Sequence, residues 1–117
     1  MHDCILHNQR CGKSRGALEM VTQRRPDIRV VDYLSTPPSV DELEEFCRQG
    51  GLSAKDLIRP GEPRFAELGL SLSDVRDDRA WLQLVHDNPI LMQRPIVRID
   101  GRVVVARPSE RVLELFG

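Results

Sequence analysis

Little cysteine, almost no lysine and no long apolar run set the first limits on this chain. Its three cysteines, Cys4, Cys11 and Cys47, are an odd number. None lies in the Cys-x-x-Cys pairs that hold structural zinc or form a dithiol switch, so no metal site is expected. No stretch approaches the ~20 apolar residues of a membrane-spanning helix, and no leader-like segment is evident. The expectation is a cytoplasmic, reducing setting, where cysteines stay as thiols unless they take part in chemistry. The formal net charge is −1, which argues against a general nucleic-acid or membrane partner. No internal repeat or low-complexity segment is present.

What the chain does contain suits one soluble domain. It has 117 residues, 40% hydrophobic and 30% charged, enough to bury a core without disulfides or metal. Fifteen of its seventeen basic residues are arginine. Arginine holds planar oxyanions bidentately better than lysine does. Genomic composition bias accounts for much of that excess, so the arginines matter only where their positions single them out.

Cys11 is singled out first. An apolar segment, Cys4-Ile5-Leu6, leads into His7-Asn8-Gln9-Arg10-Cys11-Gly12-Lys13-Ser14-Arg15, and a helical pattern with Ala17, Leu18 and Val21 follows. A cysteine at such a strand-to-helix junction receives unpaired backbone N–H groups and the positive end of the helix dipole. Lys13 and Arg15 add charge nearby. These influences favour the thiolate, the reactive form. Ser14 either donates to that thiolate or caps the helix, and capping is the simpler reading. Cys4 on the strand and Cys47 on the apolar face of a later helix read as core thiols.

The elements predicted are a strand over 3–7, a helix over 13–24 stopped by Arg25-Pro26, and a strand over 28–34. A second helix begins with the capping box Ser39-Val40-Asp41-Glu42 and ends at Gly50-Gly51. Residues 52–88 read as helical and irregular. There Pro63 opens a short helix, and Ser73 caps another carrying Val75, Leu82 and Val85. A hairpin, 96–99 and 102–105, turns at Asp100-Gly101. A last helix starts near Pro108. Strand–helix–strand implies a right-handed parallel unit, and the hairpin adds antiparallel strands. The order fits an α/β thioredoxin-like fold: a mixed four-stranded sheet with flanking helices and a helical insertion after strand two. The domain expected is 1–117, with the insertion at about 38–90.

Arg59, Arg94 and Arg107 each precede a proline, which favours extended backbone. Arg94 and Arg107 bracket the hairpin at its open end, because antiparallel strands bring entry and exit together. Spacing leaves two readings open: solvated surface arginines, or guanidinium groups flanking the Cys11 thiolate to hold an oxyanion.

Several motifs occur together in order. They are His7-Asn8-x-x-Cys11-Gly12-x-Ser14-Arg15, Tyr33-Leu34-x-Thr36-Pro37-Pro38, Ile58-Arg59, Asn88-Pro89-Ile90-Leu91, Arg94-Pro95-Ile96-Val97 and Arg107-Pro108-x-Glu110. The set, spread over nearly the whole chain, closely resembles the glutaredoxin-coupled arsenate reductases. The resemblance implies that Cys11 attacks arsenate and that His7 assists the thiolate; Ser14, from its residue type and place, joins them as a catalytic candidate. The resemblance further implies that Arg59, Arg94 and Arg107 bind the oxyanion. Asn8, Gly12 and Pro95 shape the site, with Pro95 at the proline that is cis in thioredoxin-like folds. No bound cofactor is expected; the resemblance implies glutathione as co-substrate and glutaredoxin as partner, and Ser14 stands where a dithiol motif would place a resolving cysteine. The chain departs from the family at Gln9, where a proline is usual, and a looser Cys11 loop is expected from that change.

Three other functions compete. A redox-responsive regulator that binds RNA polymerase, of the Spx type, has this kind of fold but typically uses a Cys-x-x-Cys switch. A glutathione-dependent thiol reductase of another substrate needs Cys11 but not all three arginines. A binding protein that kept the fold and lost turnover fits the change at Gln9.

Overall fold

The run Cys4–His7 forms strand β1, and all four of its residues are buried. A strand covered on both faces needs no polar–apolar alternation. This one is central in a sheet of order β2-β1-β3-β4, with β2 at Arg29–Asp32, β3 at Ile96–Ile99 and β4 at Arg102–Val105. β1 runs parallel to β2, with His7 opposite Asp32, and antiparallel to β3, with Leu6 opposite Ile96. The result is the α/β thioredoxin-like fold expected. The structure, a computed structural model, describes residues 3–116 except for the side chain of Lys13. The Lys13 charge invoked from the sequence therefore lies outside the described residues.

The chain forms two compact units, Met1–Thr36 with Arg94–Gly117, and Pro37–Gln93. In the first, helix α1, Gly12–Arg24, lays Ala17 and Val21 against Ile5, Val97 and Val104 of the sheet. A closing 3-10 helix, Ser109–Leu115, adds Val112 and Leu115 to that core. It approaches α1 so closely that a Cβ on Gly16 would stand 3.2 Å from Ser109 Oγ. The β3–β4 hairpin turns through Asp100 and Gly101, both at positive φ (51° and 77°), as a two-residue primed turn requires. β2 is shorter than its apolar run suggests. The Asp32 carboxylate accepts from Leu34 N–H at 3.1 Å and Ser35 Oγ at 3.0 Å, an Asx turn that ends the strand before Tyr33.

In the second unit, α2 is Val40–Gly50, and its capping box is complete. Glu42 N–H donates to Ser39 Oγ, and Ser39 N–H donates to the Glu42 carboxylate, each at 3.1 Å. Gly51 closes the helix in the left-handed region, φ 62°. α3 is Pro63–Glu67 and α4 is Asp78–Asp87. The expectation that Ser73 caps the last of these is corrected. Asp77 is the cap, accepting from Ala80 N–H at 2.8 Å, while Ser73 bonds Ser71 in a preceding turn. Val75, expected on the buried face, is fully exposed. Trp81 of α4 is buried, with Lys55 and Arg76 over its ring at 5.8 and 5.4 Å. No described helix is long and apolar enough to cross a membrane.

Candidate active site

Cys11 is the N-cap of α1, in extended conformation, and its thiol makes no capping hydrogen bond. Cys11 thus stands at the helix end where the first-turn N–H groups lie. The loop before it is held by four bonds. Cys11 N–H donates to Asn8 O at 3.0 Å, and Arg10 N–H to Asn8 Oδ1 at 2.9 Å. Asn8 N–H donates to Ser14 Oγ at 3.0 Å. Arg15 Nη1 donates to Gln9 O at 2.8 Å. The loosening expected from Gln9 is thus opposed by a guanidinium clamp that the sequence reading did not identify.

Ser14 is neither cap nor surface residue. Because α1 begins at Gly12, Ser14 falls inside the first turn, and it is completely buried. Its Oγ lies 2.7 Å from His7 Nδ1. Asn8 N–H donates to the same oxygen, and the direction of the Ser14–His7 bond follows the His7 tautomer. Burial holds the His7 imidazole below its ordinary 6.5, and Arg15 adds to this, against the opposing pull of Asp32 and Ser14. His7 is accordingly neutral at neutral pH.

Two expected outcomes follow from this triad. Ser14→Ala leaves a buried N–H and a buried ring nitrogen without partners, so urea unfolding should show a loss of about 1–3 kcal/mol. A change inside about 0.5 kcal/mol would place these groups in water instead. The second outcome concerns pH. The folded state takes up the His7 proton at lower pH than the unfolded chain, whose value is 6.5. Its contribution to stability is therefore whole above that pH and lost as pH falls through the depressed folded value. Urea midpoints should decline on acidification from pH 7 toward pH 5, and His7→Gln should flatten the decline. Identical profiles for the two proteins would contradict the assignment.

Sheet register delivers the arginines. With Leu6 opposite Ile96 in antiparallel pairing, the residues before β3 continue beside those after β1, which puts Arg94 alongside the Asn8–Cys11 loop. Arg94 is buried, 9% exposed. Arg107, at the exit of β4 and half-buried, donates from Nη1 to Arg94 O at 3.1 Å. The two arginines thus stand at the same open end of the hairpin, as antiparallel geometry predicts. The Arg94–Pro95 peptide is cis, as the resemblance implied for Pro95, and so is Arg107–Pro108. Gly12 is the first residue of α1.

Arg59 belongs to the second unit. Its N–H donates to Leu91 O at 2.7 Å, and its guanidinium pairs with Glu62 at 3.8 Å. Among the described residues, no three His, Cys, Asp or Glu side chains form a metal-binding group.

The other two cysteines differ from Cys11 in setting. Cys4 is buried on β1, 4% exposed. Burial pushes the Cys47 thiol up to about 11, with Asp78, Asp56 and Glu44 adding to the effect. A groove of about 360 Å³, lined by Asn8, Gln9, Arg10, Asp32, Leu34 and Ser35, borders the Cys11 loop. Sequence alone gives Tyr33 no role. It is the chain's single tyrosine and is fully buried beside Asn8. Its only signal was its place in the Tyr33-Leu34 motif.

Residues 6–115 match the model of the ArsC family. The chain is 40% identical to an arsenate reductase of Neisseria meningitidis serogroup A over 92% of each chain. It is also 40% identical to the uncharacterized protein YfgD of Escherichia coli K12, over 97% of this chain and 95% of that one. Among solved structures, an arsenate reductase from Vibrio cholerae superposes with a TM-score of 0.89, at 36% identity over 98% of both chains.

Proposed function

This chain belongs to the ArsC family, and on that premise we propose that it is a thiol-dependent arsenate reductase with Cys11 as nucleophile. The observation that carries the reading is the convergence at one end of the sheet. A cysteine caps a helix with no capping bond of its own, and two arginines are delivered beside its loop by strand register. Arsenate is bound by Arg94 and Arg107. The Cys11 thiolate forms a sulfur–arsenic bond as an arsenate hydroxyl, taking a proton from solvent, leaves as water, and the guanidinium groups neutralise the charge on the remaining oxygens. The resemblance assigns an oxyanion role to Arg59 as well, which Arg59→Lys tests separately. His7 acts through Ser14, holding Asn8 and the first helical turn in register.

Reduction requires two electrons. Two external thiols supply them, becoming a disulfide while arsenic passes from the +5 to the +3 state, arsenite leaves and Cys11 is regenerated. Glutathione, followed by glutaredoxin, is the donor proposed. Ser14 occupies the place of an internal resolving cysteine, and a groove at Gln9 and Arg10 borders the Cys11 loop. Cys4 is buried, and the raised Cys47 thiol is a poor nucleophile at neutral pH. Cys4→Ala and Cys47→Ala should therefore each keep most of the turnover. Loss of turnover in either folded variant, with arsenate still reacting at Cys11, would replace glutathione with an internal disulfide.

The test of the reading is NADPH oxidation that depends on arsenate in the presence of glutathione, glutaredoxin and glutathione reductase. Omitting glutaredoxin should slow it severely. A rate that ignores glutaredoxin would assign a different donor, and a rate that ignores arsenate would assign a different substrate.

A further inference from the structure

We infer that the Tyr33 hydroxyl is a further binding group for the oxyanion, a neutral donor that completes the ring of donors around Cys11. The inference rests on the reading of Cys11 as an oxyanion site and deepens it. Tyr33 follows Asp32, which pairs with His7 across β1 and β2, so its side chain enters beside Asn8. The side chain is 0% exposed; Asn8 and Arg94 stand near enough to act on its hydroxyl as hydrogen-bond neighbours, but no partner in full hydrogen-bond geometry satisfies that hydroxyl among the described residues. Buried hydroxyls are ordinarily paired, and an exception calls for an explanation, of which a bound ligand group is one.

The neighbours define that partner. Arg94 and Asn8 lie close enough to influence the phenol, and Cys11 is within electrostatic reach of it. Arginine has only donors to offer. The Asn8 side-chain oxygen already accepts from Arg10 N–H at 2.9 Å. The first-turn N–H groups of α1 are donors too. These donors gather beside Cys11, and an oxyanion bound there would offer them acceptors. Burial is the largest influence on the phenol and keeps it protonated well past neutrality, against the opposing effects of Arg94 and Asn8. It is therefore available as an O–H donor whenever Cys11 is a thiolate.

The experiment is protection of Cys11 from iodoacetamide by arsenate and, separately, by inorganic phosphate, in the wild type and in Tyr33→Phe. Phenylalanine keeps the ring and removes the hydroxyl alone. The variant should alkylate at the wild-type rate without anion, while the arsenate and phosphate concentrations giving half-protection rise roughly tenfold or more, as expected for loss of a hydrogen bond to a charged group. Equal half-protection in the two proteins overturns the role of Tyr33 and leaves the functional reading standing. A shift accompanied by an altered alkylation rate without anion also overturns it, because the residue would then only shape the loop. If neither anion protects wild-type Cys11, the oxyanion site itself fails, and this inference with it.

Discussion

Cys11→Ser should lose arsenate turnover by a thousandfold or more, on the order seen when an activated nucleophile is removed, while the folded protein becomes slightly more stable. The two effects have separate causes. A serine hydroxyl at physiological pH is not ionised, and an alcohol is a far weaker nucleophile toward arsenic than a thiolate. Position 11 is, however, the N-cap of a thirteen-residue helix whose present occupant makes no capping bond. Serine is among the best N-cap residues, and its oxygen can accept from the first-turn N–H groups at a gain of about 0.5–1 kcal/mol. Activity from steady-state kinetics and stability from urea unfolding should thus move in opposite directions. Equal loss of both would mean that the cysteine holds the loop together and does not perform chemistry. The wild-type thiol should also alkylate with a pH midpoint below the free-thiol value of about 8.5, because the uncapped helix end favours its anion.

Arg94→Lys and Arg107→Lys should each reduce kcat/KM for arsenate by roughly ten- to a hundredfold, the equivalent of about 1.5–3 kcal/mol for a charge-assisted contact. Lysine retains the charge but not the planar fork that spans two oxygens. At Arg107 the change also removes the bond to the Arg94 carbonyl, so the two substitutions should not be additive. Alkylation of Cys11 by a neutral reagent should change little in either variant, which separates oxyanion binding from thiol activation. Phosphate and sulfate should compete with arsenate in the wild type. Unchanged arsenate kinetics in both variants would return these arginines to solvated surface residues and the chain to a thiol reductase of another substrate.

Much of this was legible in the residue order. The apolar run Cys4-Ile5-Leu6 of β1, the Ser39 capping box and the Asp100-Gly101 turn are local signals, and each produced the element it announced. Antiparallel pairing alone put Arg94 and Arg107 at the same hairpin end. What escaped the reading depends on choices between competing local bonds. Asp77 won the cap of α4 from Ser73, which bonds Ser71 instead. Asp32 closed its Asx turn and cut β2 short of Tyr33. Starting α1 at Gly12 moved Ser14 from the cap position into the first turn, where its hydroxyl joins His7 to Asn8. Arg15 and Tyr33 were opaque for a different reason. The Arg15 bond to Gln9 O forms only once the Cys11 loop has folded back on the start of α1, and Tyr33 meets Asn8 and Arg94 only when the end of β2 and the start of β3 come together.

The central claim is that arsenate is reduced through a bond to the Cys11 sulfur. It is tested most directly by an acid-quenched time course with arsenate and glutathione. Each time point is divided between arsenite determination and the mass of the Cys11 peptide. The expected result is an arsenate-dependent mass increase on that peptide which rises before arsenite accumulates and decays faster when glutaredoxin is added. Arsenite that accumulates while Cys11 stays unmodified throughout, or no arsenite at all, would contradict the account.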